Sequence, residues 1–132
     1  MTDQQTNVVA ASTTAAPLPD GVRELHDFDS VPPVDGCRIF THYNGPTNQL
    51  QGLCVGMCVL DPGASPHPPH QHPEEEFMIV SSGTGEILCD GKTTPVGPGA
   101  VMYCAGQIWH GIVNTGNVPL TFYWSKWLAK GS

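Results

Sequence analysis

Positive charge is scarce in this sequence. Arg23, Arg38, Lys92, Lys126 and Lys130 are the only Lys and Arg residues, against twelve Asp and Glu, for a formal net charge of -7. They are too few and too scattered to form the basic stripe that neutralises phosphates, so nucleic acid is not an expected partner. Long apolar runs are also missing, and the N-terminal MTDQQTNVVAASTTAAPLP lacks the basic start of an export signal. No membrane partner is expected, and a cytoplasmic location follows as the default, although a signal removed from a longer precursor would leave no trace. Paired cysteines are absent too. Cys37, Cys54, Cys58, Cys89 and Cys104 are odd in number and never spaced CxxC, which argues against a disulfide framework and against a thiolate zinc site. They are expected as free thiols, with Cys54 and Cys58 packed as small core residues on one face of a strand.

What the sequence does contain is punctuation. Thirteen prolines and fifteen glycines divide a chain of 132 residues that is 39% hydrophobic, which describes many short elements and tight turns and favours an all-β architecture. Residues 1–20 read as a flexible tail and 21–132 as one domain, large enough for a single barrel but not for a second core. Dimerisation is expected. Strands are predicted at Val22 to His26, Cys37 to Tyr43, Gln51 to Leu60, Glu76 to Ser81, Gly85 to Cys89, Ala100 to Cys104, Trp109 to Asn114 and Pro119 to Leu128. The run QGLCVGMCVL from Gln51 is apolar on both parities and should be buried on both faces. Turn signals at this spacing indicate a sandwich or barrel.

The chemically informative segment is HPPHQHPEEEF, residues 67 to 77. In an extended chain His70 and His72 point to one side, and after the Pro73 turn Glu76 can return to it at the start of the next strand. Two imidazoles and a carboxylate that converge suit iron, nickel, zinc, manganese or copper.

Here the chain resembles the cupin superfamily. The first cupin motif is met by Gly63, His70, His72, Glu76 and Gly83, with the loop before His70 one residue longer than usual. The second is met by Gly99, by His110 eleven positions later and by Asn114 four further on. Three departures occur: Ala100 replaces a frequent Asp, and the usual Pro and Gly before the histidine fall on Ala105 and Gln107. The resemblance implies a double-stranded β-helix, a jelly-roll-like barrel, with one divalent transition-metal ion held by His70, His72, Glu76 and His110.

Four protein ligands on an ion that prefers five or six leave positions open, as at a catalytic site. The resemblance therefore implies a metal-dependent dioxygenase, isomerase or lyase acting on a small oxygen-rich molecule. The competing reading is a cupin that binds a metal or small ligand without turnover. Tyr103, Tyr123 and His42 are the available acids and bases besides the ligands. Tyr123 is expected to turn its hydroxyl inward, and His42 either lines the pocket or serves structure. His67, Glu74 and Glu75 are expected in solvent, with Glu75 facing away from Glu76, and His26 at the surface. Arg38 is expected in a surface salt bridge, and most late aromatics in core or dimer packing.

Overall fold

The computed structural model describes residues 15–25 and 35–132. Its strands are β1 (Cys37–Gly45), β2 (Leu50–Leu60), β3 (Glu75–Ser82), β4 (Gly85–Cys89), β5 (Lys92–Val96), β6 (Val101–Cys104), β7 (His110–Val113) and β8 (Leu120–Ala129). They form a five-stranded sheet in the order β1-β2-β8-β3-β6 and a three-stranded sheet in the order β5-β4-β7. Every pairing is antiparallel. The buried cluster draws Cys58, Met78, Phe122 and Trp124 from the larger sheet and Ile87 and Ile112 from the smaller. The core therefore lies between the two sheets, as the all-β jelly-roll reading requires. No helix of the described residues is long and apolar enough to cross a membrane.

The period of two decides which side chains enter that core. On β8, Leu120, Phe122, Trp124 and Lys126 are buried, while Tyr123 between them is 42% exposed. On β3, Glu76, Met78 and Val80 are buried and Phe77 and Ile79 face out. The interior strand β2 has no exposed residue; Cys54 and Cys58 do share its buried parity, and Met57 on the other parity is buried as well. Gly56 has a steric cause, since a Cβ there would lie 2.3 Å from the Trp124 ring and 2.4 Å from the Phe40 carbonyl. All five cysteines are free, and the Cys37 and Cys58 sulfurs lie 3.3 Å apart across β1 and β2.

Two expectations about elements need correction. Val22 to Leu25 form no strand, and His26 lies outside the described residues. Conversely, β5 was not anticipated, because KTTPV is polar, exposed and contains Pro95. It pairs with β4 alone, and such an edge position tolerates both the proline and the polarity. Near the start of the described chain, the Leu18 N–H donates to the Pro46 carbonyl at 2.8 Å, tying that segment to the β1–β2 turn.

Candidate metal centre

Backbone hydrogen bonds bring the two histidine-bearing segments together. His70 and His110 pair directly across an isolated antiparallel bridge, each N–H donating to the other's carbonyl at 3.0 and 2.9 Å. The Gln107 N–H donates to the His72 carbonyl at 2.7 Å, and Asn114 and Gly63–Ala64 exchange bonds at 2.8 and 3.0 Å. Asn114 is fully buried. Its amide donates to the carbonyls of Leu60 and Val118 and accepts from the Gly116 N–H, so its side chain fastens the end of β7 to the end of β2. Gly83 closes the β3–β4 turn at a φ of +84, where a Cβ would lie 2.5 Å from the Pro119 carbonyl oxygen. Both the conformation and the contact call for glycine.

Three imidazoles meet as a result. His70, His72 and His110 each offer a ligand nitrogen, all within 4.8 Å of one another. The rings stand edge to face, with centroids 4.8 to 5.0 Å apart. Glu76 enters from β3, its Oε1 2.9 Å from His72 Nε2 and 3.2 Å from His110 Nε2. The far side of two of these rings is fixed. His72 Nδ1 donates to the Glu74 carbonyl at 3.1 Å, and His110 Nδ1 to the Ile108 carbonyl at 2.8 Å. A carbonyl can only accept, so in the neutral rings the free lone pair is on Nε2, facing Glu76.

This arrangement demands positive charge at its centre, because lone pairs and a carboxylate that point at one another repel. In the bare protein a proton supplies it. Burial opposes a charged His110, but hydrogen bonds to Cys104 and Glu76 outweigh it and raise the ring to about 10. Burial likewise penalises the Glu76 carboxylate, yet hydrogen bonds from His110 and His72 bring it down to about 2. His70 is driven to about 3, chiefly by burial and then by the neighbouring charges of His67, His110 and His72. A divalent cation meets the same demand with three neutral imidazoles and one carboxylate, so the donor set fits such an ion.

The centre lies in a cavity between the sheets, walled by Ile39, Met78, Ile112, Phe122 and Trp124, with Pro66 and His67 also in its lining. Its volume of about 30 Å³ is enough for roughly two water-sized occupants.

Other expected site residues are placed elsewhere. Tyr123 is corrected: its parity turns it to the outer face of the large sheet. Tyr103 is exposed there too, donating its hydroxyl to Glu75 Oε1 at 2.7 Å, so Glu75 does face away from Glu76. His42 falls at the β1 bulge between Thr41 and Tyr43, where its carbonyl accepts a hydrogen bond from Arg23, and it is not among the cavity-lining residues. Arg38 alternates with Ile39, which lines the cavity, and so points the other way.

Three residues were missed. Glu74, expected in solvent, is fully buried with Oε1 3.3 Å from His72 Nδ1. His67 is half-buried and stacks on His70 with ring centroids 3.7 Å apart. Lys126 is only 5% exposed and lines the cavity. Its signal was readable: it shares parity with Phe122 and Trp124 in PLTFYWSKWL.

The family model described as Cupin domain matches residues 56–126, and the chain belongs to that family. Solved structures agree on the fold. KdgF from Halomonas sp. is 20% identical, with 82% of this chain and 94% of that one covered and a TM-score of 0.67. A cupin 2 conserved barrel domain protein from Salinispora arenicola is 25% identical over 83% and 90% of the two chains, with a TM-score of 0.64. A predicted oxalate decarboxylase from Thermotoga maritima is 32% identical over 57% of this chain and 65% of that one, with a TM-score of 0.54. Comparison with curated proteins gave no significant match.

Proposed function

We propose that His70, His72, Glu76 and His110 hold one divalent transition-metal ion and that the protein is a metal-dependent enzyme of the dioxygenase, isomerase or lyase type. The observation that carries this is the convergence of three imidazoles and one carboxylate beside a largely apolar cavity that His70, Glu76 and His110 line. A bound divalent ion would act there as a Lewis acid toward an oxygen of a small oxygen-rich substrate. The chain's own residues do the rest. Ile39, Met78, Phe122 and Trp124 wall the cavity with apolar surface and limit the water in it, which strengthens the charge interactions within. His67, whose basicity is lowered chiefly by burial, stands beside His70 as a neutral ring able to accept a proton from substrate. The likeness to a predicted oxalate decarboxylase at 32% identity supports chemistry on a small oxygen-rich acid.

One observation favours the second reading, a binding cupin without turnover. Tyr103, Tyr123 and His42, the acids and bases expected to assist, are not among the cavity-lining residues. His67 remains, and the enzyme reading rests on it.

The outer face of the large sheet supports a homodimer. Phe77, Ile79, Val101, Tyr103 and Tyr123 are all exposed on it, and Phe77 packs against both Tyr103 and Trp127. A contiguous patch of this kind suits a second copy of the same chain. The free thiols accord with a reducing, cytoplasmic setting.

Elemental analysis of protein purified without chelator tests the assignment. About one transition-metal ion per chain is expected, and the double variant His70→Ala/His110→Ala should carry none. Metal retained by the folded double variant would refute it.

A further inference from the structure

We propose that Lys126 is the specificity-determining residue of the cavity, its ammonium receiving the carboxylate of a small anionic ligand that enters beside the histidines. The inference rests on the metal-site reading above and narrows its substrate to a compact carboxylate.

The geometry carries the argument. Lys126 lies on β8 opposite Glu76 of β3, with its side chain on the buried parity. The residue is only 5% exposed, and it lines the same cavity as His70, Glu76 and His110. Among the described residues it forms no salt bridge within 4.0 Å and no side-chain hydrogen bond. Its Nζ is not among the fully buried atoms that lack a partner, so the ammonium is open to an anionic group that enters the cavity. The facing carboxylate is already turned to the histidines, with Glu76 Oε1 2.9 Å from His72 Nε2 and 3.2 Å from His110 Nε2.

On its other side Lys126 lies opposite Cys54 of β2. Formally the buried groups are two carboxylates, Glu74 and Glu76, against one ammonium. A divalent cation at the histidines reverses that sign, and the loaded cavity then attracts an anion. The volume of about 30 Å³ holds roughly two water-sized groups. That suits the two oxygens of a carboxylate, and a two-carbon hydroxy acid is a minimal ligand that carries this group beside a second oxygen donor.

Zinc-loaded full-length protein provides the test, with glycolate as anionic probe and glycolamide as its neutral counterpart. Zinc content is measured by elemental analysis and probe affinity by calorimetry. Lys126→Met should keep its zinc and lose glycolate affinity by roughly tenfold to a hundredfold, the range for a charge-assisted hydrogen bond. Glycolamide affinity should be unchanged, and Lys126→Arg should restore much of the glycolate binding.

Unaltered glycolate affinity in zinc-loaded Lys126→Met overturns the inference while leaving the metal site intact. Loss of zinc from that variant also overturns it, since Lys126 would then serve the ligand set and not the substrate. Failure of wild-type protein to take up zinc sinks the metal reading and this inference together. If Lys126→Met does not fold, the ammonium resonance of Lys126 in wild-type zinc protein decides: a shift on adding glycolate supports the assignment, and an unmoved signal overturns it.

Discussion

The three histidines of the centre are not held alike. His72 and His110 are buried at 6% and 2% exposure, and each donates Nδ1–H to a backbone carbonyl two residues away. His70 is more open, and its ring is braced by stacking on His67 and by edge contacts with the other two imidazoles. Two ligands therefore have their orientation and tautomer set by the fold before any ion arrives, while the third stands in a proline-rich loop. Preorganised ligands give up little entropy on binding, whereas a loosely held one must be ordered at that moment. The pinned pair should thus set the affinity, and His70 should trim it.

Single substitutions at the ligands put that difference to its strongest test. His110→Ala is expected to reduce metal occupancy to background, since it removes a fixed Nε2 and also a hydrogen-bond partner of Glu76. His70→Ala should leave measurable binding, weaker on the order of 10–100-fold, comparable to the loss of an orienting partner. Competition against a chelator measures both. Equal losses would show that pinning contributes nothing.

A smaller effect is expected one step back from the ligands. Asn114 fastens the strand that carries His110, and its side chain is satisfied by Leu60, Val118 and Gly116. Asn114→Ala leaves those buried groups without their partner and should cost about 2–4 kcal/mol of stability. Urea denaturation of the metal-free protein reads this directly. A loss below about 1 kcal/mol would mean that the backbone ladder alone holds β7 in place.

Much of this was legible in advance because it depends on local pattern. Seven of the eight strands follow from alternation and turn residues, and HxHxxxE places its three side chains on one side by the same period of two. What escaped depends on partners distant in sequence. Glu74 looks solvated within PEEEF, and only the fold reveals that its neighbour His72 takes it inside. β5 is polar and proline-bearing because it is an edge, which no local window reveals. Tyr123 and Lys126 were a matter of parity: once Phe122 and Trp124 are assigned to the core, Tyr123 must face out and Lys126 in. The phase of β8 is set by where its largest apolar side chains must go, whatever hydroxyl that turns outward.

The smallest expected effect concerns the link between the two histidine segments. Gln107 holds the position where the cupin pattern has glycine, and it does so at a φ of 65 while donating its N–H to the His72 carbonyl. Left-handed backbone costs a residue with a Cβ about 1–2 kcal/mol. Asp35 and Asp90 take the same conformation, but aspartate tolerates it through its short polar side chain, an advantage glutamine lacks. Gln107→Gly relieves the clash and keeps the N–H, at a cost of about 0.5–1 kcal/mol in unfolded-chain entropy. The balance predicts a net gain of about 0.5 kcal/mol in urea denaturation, with metal affinity unchanged because the hydrogen bond to His72 survives. Gln107→Val, whose branched Cβ resists this φ, should move stability the other way. If instead the glycine variant weakens metal binding, the strained turn is itself part of what holds His72 in place.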